Sequence, residues 1–292
     1  MNRRAALGFA AAASLVAALP AFAQAPNELR FAVTDVVGLE NLQREWGPFQ
    51  RALEQRTGLK ISFFAVTNRT AAAEAMAARR VDLVFTGPAE YVVFRARTNA
   101  APVVAIARAE YYPLVVVRAD SGVRDVADLK GKRVAFGSIG STSRHLGPMQ
   151  LLADLGLNPR TDIQPTHVAA NVGFEGLRRG DIAAMGMNHT DFTRLIERDQ
   201  ATTYFVLARG RDLPMDLIVA GSHVEAGIVE RVRKAIADNQ PEMMRAILAG
   251  EGENVKFTGM RWVPSVRDED YNYVRRMYRT IGQTQFADFV GN

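Results

Sequence analysis

The densest run of groups able to do chemistry is Gly137-Ser138-Ile139-Gly140-Ser141-Thr142-Ser143. It follows a strand-like segment, Arg133 to Phe136, and opens a helical one, His145 to Leu155. A strand-to-helix turn presents unpaired backbone N–H groups and the positive helix end to whatever lies before it, which favours an anion. Ser141, Thr142 and Ser143 add three hydroxyl donors, and Gly140 lets the backbone approach closely. One Ser or Thr is enough for an N-cap, so three in succession favour an anion site over capping alone. No Gly-Lys-Ser/Thr follows and a full Gly-x-Gly-x-x-Gly pattern is missing, which sets aside both nucleotide loops.

Two other turns lie at strand ends, where open α/β sheets bind ligands. In Thr86-Gly87-Pro88-Ala89-Glu90-Tyr91 the Tyr91 phenol is a candidate donor, the alternative being an aromatic half-buried on its helix. Asn188-His189 follows the strand Ile182 to Met187 and is explained equally well by helix capping. Arg69, in Thr67-Asn68-Arg69-Thr70, is either a ligand cation or a solvated loop residue.

Catalytic patterns are thin. The chain has no Cys, which excludes a disulfide framework, thiolate metal sites and a Cys nucleophile. His145, His167, His189 and His223 show neither HExxH nor other tight ligand spacing, and no Gly-x-Ser-x-Gly elbow occurs. Ser143 and His145 are two residues apart at a helix start, so their side chains diverge. No catalytic residue, metal or cofactor is expected, and an exported hydrolase is a distant reading.

Alternating strands and helices must position these residues. Strands are expected at Leu29–Thr34, Lys60–Val66, Val81–Phe85, Val103–Ala107, Leu114–Arg118, Arg133–Phe136, Gln164–Val168, Ile182–Met187, Tyr204–Ala208 and Leu217–Ala220. Helices are expected between them, with two long amphipathic ones at Val224–Ala249 and Glu269–Val290. This alternation implies an α/β protein of mainly parallel sheets flanked by helices. Tyr112–Arg118 and Ala208–Val219 can carry the chain between two lobes, giving 24–115 plus 215–292 for one and 116–214 for the other.

Of 292 residues, 48% are hydrophobic and 23% charged, which is globular composition. The formal net charge is +5, with Arg3 and Arg4 supplying two of those charges. A surplus so small and unclustered argues against nucleic acid and suits a small anion. Met1–Arg4, the apolar run Ala5–Leu19 and Ala21-Phe22-Ala23 read as a cleaved signal peptide, residues 1–23, with Gln24 as the mature start. About 15 apolar residues fall short of the ~20 that cross a bilayer. The arginine pair is a weak twin-arginine signature, so the export route stays open. The mature protein is expected to be exported, soluble and monomeric.

Thr86–Tyr91, Asp128-Leu129-Lys130-Gly131-Lys132-Arg133-Val134-Ala135-Phe136 and Ser141-Thr142-Ser143-Arg144-His145-Leu146-Gly147-Pro148 together resemble a known family. It is the phosphate, phosphite and phosphonate-binding periplasmic proteins of ABC transporters, which have the two-lobed type II binding-protein fold. Trp46-Gly47-Pro48-Phe49 and Leu213-Pro214 fit the same pattern, so the resemblance spans the mature chain. It implies that Ser141, Thr142 and Ser143 hold an oxyanion and that Tyr91 lines the cleft from the other lobe. It places Asn188 where aminophosphonate-binding members carry a carboxylate, and Asp216 in a segment that can add a cleft residue. Arg144 stands in place of a glycine, Ala169-Ala170-Asn171 in place of a cleft histidine, and Arg69 where the family often has an aromatic. Asn188 cannot offer an ammonium group the charge-assisted bond of a carboxylate. Arg69, with Arg144 or His189, would add positive potential. The resemblance therefore implies a compact oxyanion delivered to a membrane permease. The alternative is a sensor that presents its closed form to a membrane histidine kinase or chemoreceptor.

Overall fold

A computed structural model describes residues 27–286. The expected signal peptide, and the end of the last expected helix beyond 286, lie outside the described residues.

The chain begins with β1 (Glu28–Val33), α1 (Leu39–Thr57), β2 (Lys60–Phe63), α2 (Arg69–Ala77), β3 (Leu83–Thr86), α3 (Pro88–Thr98) and β4 (Ala101–Ala107). It crosses to a second sheet through β5 (Pro113–Arg118), β6 (Arg133–Phe136), α4 (Gly147–Asp154), β7 (Gln164–His167), α5 (Ala170–Arg179), β8 (Ala184–Asn188), α6 (His189–Arg198) and β9 (Tyr204–Arg209). It then returns with β10 (Asp216–Ala220), α7 (Ala226–Asp238), α8 (Gln240–Leu248), β11 (Arg261–Val263) and α9 (Asn272–Thr280).

The first sheet has the order β11-β4-β10-β3-β1-β2 and the second β7-β6-β8-β5-β9. The α/β alternation expected from sequence is present. Each sheet is parallel across three adjacent strands, β2-β1-β3 and β7-β6-β8. Elsewhere the pairing is antiparallel, because β10 and β5 enter next to strands that run the other way. The sheets are therefore mixed rather than parallel throughout. The two crossovers run side by side, with Gly210 N donating to Pro113 O and Leu213 N to Tyr111 O at 2.9 and 2.8 Å.

Strand alternation sorts the core onto both faces of the first sheet. Phe31, Val33 and Phe85 pack with Trp46 and Phe49 of α1. Ala32 and Val84 face the other way, into a cluster with Tyr91, Tyr271 and Tyr278. Leu146, from the second-sheet half, is fully buried in that same cluster, so the two halves share apolar contact. Helix ends follow local chemistry. Asn68 caps α2 by accepting from Ala71 N at 2.8 Å, and Asn188 caps α6 by accepting from Asp191 N at 2.9 Å.

Three expected elements differ. Val224–Ala249 is two helices, broken at Asn239, where Pro241 at the start of α8 cannot supply a helical N–H. The segment from Glu269 starts as a single 3₁₀ turn, Asp268–Tyr271, before α9. The helix expected from His145 begins earlier, with a widened turn at Thr142–Leu146 that runs into α4. Among the described residues no helix is long and apolar enough to cross a membrane.

Candidate functional site

The turn after β6 is built around Gly140, whose φ of +85° is strained for any residue with a Cβ. Its N–H donates to His145 Nδ1 at 3.0 Å. Ser141 Oγ accepts from Arg144 N at 3.4 Å, and the Ser141 carbonyl accepts from both His145 N and Leu146 N. The amides of Thr142 and Ser143, in the first turn of the helix, have no intrahelical acceptor. Beneath the turn, His167 Nδ1 lies 3.0 Å from the Gly137 carbonyl, and the His145 and His167 rings meet edge-on at 4.5 Å. Burial, with the neighbouring His167, pushes His145 down to about 3, so its ring is neutral and Nδ1 is free to accept.

This turn forms one wall of a cavity of about 70 Å³ between the two sheets. The second-sheet wall is Ser141, Thr142, Ser143, Arg144, Asn188, Thr190 and Arg194. The first-sheet wall is Asp35, Arg69, Gly87, Glu90, Arg108, Asp216 and Lys256, with Tyr111 coming from the crossover. No aliphatic side chain lines it. Thr142 Oγ1 accepts from Ala89 N at 3.0 Å, which joins α3 to the turn. Ser143 Oγ accepts from Asn188 Nδ2 at 3.1 Å and also hydrogen-bonds Tyr111.

Five cations border the cavity. Arg69 pairs with Asp35 at 2.6 Å and Glu90 at 3.1 Å, yet its Nη1 is buried with no partner. Arg108 pairs with Asp216 and stacks on Tyr111 at 4.1 Å. Lys256 reaches Asp35 at 3.4 Å. Arg144 is fixed by two bonds, 2.5 and 2.8 Å, to the buried carboxylate of Asp191, and Arg194 completes the set. Desolvation within the cavity would raise the Asp35 carboxyl, but the charges of Arg69 and Lys256 outweigh it and hold it well below the usual range. The Asp35 charge in turn raises Arg69.

Six of the eight residues singled out from the sequence, Ser141, Thr142, Ser143, Arg69, Asn188 and Asp216, meet at this cavity. Tyr91 and His189 do not line it. Tyr91 is fully buried, with its ring 4.5 Å from that of Tyr271, and its phenol donates to Asp268 Oδ1 at 2.6 Å. Helical rotation turns it into the core and leaves its neighbour Glu90 at the cavity. His189, the first residue of α6, lies against Tyr112 with Nδ1 3.1 Å from Glu110, and Thr190 takes the lining position. Asp35, Arg108, Glu90, Arg194, Tyr111 and Lys256 had not been expected. Asp35 and Arg108 lie just past the carboxyl ends of β1 and β4, so the strand-edge rule could have found them; Lys256 and Arg194 carry no local signal.

Two α/β halves joined by paired crossovers, with a charged cavity between them, define a type II periplasmic binding protein. The chain belongs to the family of periplasmic substrate-binding proteins of ABC phosphonate transporters, whose model matches residues 31–271. It is 27% identical over 282 residues to a phosphate-import protein PhnD of Mycolicibacterium smegmatis, covering 88% of this chain and 87% of that protein. Its fold is similar to that of PhnD1 from Prochlorococcus marinus in complex with methylphosphonate, with a TM-score of 0.68, 18% identity, and 89% and 100% of the two chains covered. It is also similar to the periplasmic aliphatic sulphonate binding protein SsuA of Escherichia coli, with a TM-score of 0.64, 18% identity, and 91% and 90% covered. The family is one of substrate binding in transport, and it places the protein in the periplasm.

Proposed function

We propose that the cavity captures one small tetrahedral oxyanion of the phosphate, phosphite or phosphonate class and that the loaded protein delivers it to an ABC permease. The observation that carries this reading is the convergence of three consecutive hydroxyls and five cations on a space of about 70 Å³. Ser141, Thr142 and Ser143 offer hydroxyls and first-turn amides to the oxyanion. Arg69, with its unpartnered Nη1, supplies charge and planar donors from the opposite wall. Asn188 orients Ser143 and brings no charge for an ammonium group, which disfavours aminoalkylphosphonates. The lobes 24–115 plus 215–292 and 116–214 close on the ligand about the paired crossovers, and the closed form is favoured by contacts that only it makes.

The test is calorimetric titration of the mature protein with phosphate. Ser141→Ala with Thr142→Ala is expected to weaken binding at least about tenfold, ~1.4 kcal/mol, and to lower the melting temperature by several degrees through loss of the acceptors for Ala89 N and Arg144 N, with the fold kept as judged by circular dichroism. Unchanged affinity in the double variant would remove the hydroxyl turn from the site.

A further inference from the structure

Arg69, Arg108 and Lys256 pair with carboxylates that themselves line the cavity, whereas Arg144 is held from outside it. Its stem lies on the bare Cα of Gly137, where a Cβ would come within 2.6 Å of Arg144 Cβ and 3.2 Å of Cδ. Its fork gives Nε and Nη2 to the two carboxylate oxygens of Asp191 at 2.5 and 2.8 Å. The Asp191 side chain is only 2% exposed, against 37% for that of Arg144, and it does not line the cavity. The Arg144 charge is thus balanced behind the wall, and what the residue adds at the cavity is bulk.

On this wall Ser141, Thr142, Ser143 and Asn188 are buried, while Arg144, Thr190 and Arg194 are in part accessible. Arg144 therefore stands at the edge of the space, next in the chain to the hydroxyls that form its floor. A carbon chain on a seated anion that runs out along this wall meets Arg144. The opposite wall is a set of ion pairs, and no aliphatic side chain lines the cavity to receive methylenes. Moving Arg144 aside would break two charge-assisted bonds and leave a buried carboxylate uncompensated, a cost that apolar contact from a few carbons does not offset. We infer that Arg144 is a specificity-determining residue, a fixed bar at the edge of the cavity that limits how large a substituent a bound oxyanion can carry. Inorganic oxyanions are admitted, and phosphonates or phosphate esters with a chain of three carbons are refused. The inference rests on the oxyanion reading above and narrows it.

The bar is fixed to the hydroxyl turn as well as to its partner. Gly137 N donates to the Arg144 carbonyl at 2.9 Å. Asp191 N donates to Asn188 Oδ1 at 2.9 Å, and Asn188 Nδ2 donates to Ser143 Oγ at 3.1 Å. Arg144, Asp191, Asn188 and Ser143 thus form one bonded unit, so the bar keeps its distance from the hydroxyls whatever the two halves do relative to each other.

The experiment compares inorganic phosphate with n-propylphosphonate by calorimetry on the mature protein. In the unsubstituted protein propylphosphonate should bind at least about a hundredfold more weakly, as expected when a bound chain would strand buried charges. Arg144→Ala with Asp191→Asn removes the bar and both charges together, so no carboxylate is left buried alone, and the difference should narrow by about tenfold or more. Arg144→Met with Asp191→Asn removes the same charges but keeps the bulk, and the difference should stay within about threefold of the original. Arg144→Lys keeps a charge for Asp191 but not the fork. It covers the case in which the paired variants do not fold, with a narrowing of at least about fivefold expected. Propylphosphonate within about threefold of phosphate in the unsubstituted protein would overturn the inference and leave the oxyanion site standing. So would a difference that Arg144→Ala with Asp191→Asn leaves unmoved, or one that Arg144→Met with Asp191→Asn narrows equally, since charge rather than bulk would then exclude the chain. Binding of neither anion would overturn the oxyanion reading itself, and the inference with it.

Discussion

Glu90 and Tyr91 are neighbours in the chain with opposite surroundings, one at the charged cavity and the other in the apolar core. Only a rotation of about 100° per residue along α3 separates them, and a sequence motif does not show which of two adjacent positions that rotation turns to the ligand. Tyr91→Phe should therefore leave phosphate affinity unchanged within about twofold. It should lower the melting temperature by ~2–4 °C, because the bond to Asp268 is lost while the ring stays packed. A tenfold loss of affinity with an unchanged melting temperature would return Tyr91 to the site. The hydroxyl triplet was legible because three donors in a row at a strand-to-helix turn exceed what capping requires. Arg108, Lys256 and Arg194 were not, because each is a lone cation in its own segment and only the fold brings them together.

At the scale of elements, the hydroxyl-rich turn after β6 depends on two histidines behind it. His145 accepts from Gly140, and His167 sits beside the Gly137 carbonyl. His145 is held near 3 in the folded protein against its ordinary 6.5, so the unfolded chain takes up a proton that the folded chain refuses. Stability from this contact is complete above about pH 6.5 and is lost as the pH falls toward 3. Urea unfolding at pH 7 and pH 5 should show the decline, and His145→Gln should flatten it. An equal slope in that variant would place the acid sensitivity elsewhere. Most strands were readable from apolar runs bounded by Gly and Pro, and the crossover strands could be placed from the turns beside them. Helix breaks were harder to read. The amphipathic period continues from α7 into α8, and only Pro241 marks the interruption at Asn239.

At the scale of the molecule, the two halves meet through Leu146 in a shared apolar cluster, the Ala89–Thr142 bond and the paired crossovers. Thr280 Oγ1, at the end of α9, adds a further tie by donating to Gln150 of α4 at 2.7 Å. The antiparallel entry of β5 and β10 was hidden from a strand-by-strand reading, because pairing direction is set by the path between strands rather than by their composition. A ligand that bridges the halves stabilises the whole molecule, by about 2.7 kcal/mol at 100 times its dissociation constant. The most direct test is a melting series of the mature protein with phosphate, phosphite and methylphosphonate at constant ionic strength, with chloride as the control. A rise of several degrees is expected with at least one of these oxyanions, and none with chloride. An unchanged melting temperature with all three at millimolar concentration would contradict an oxyanion site between the lobes.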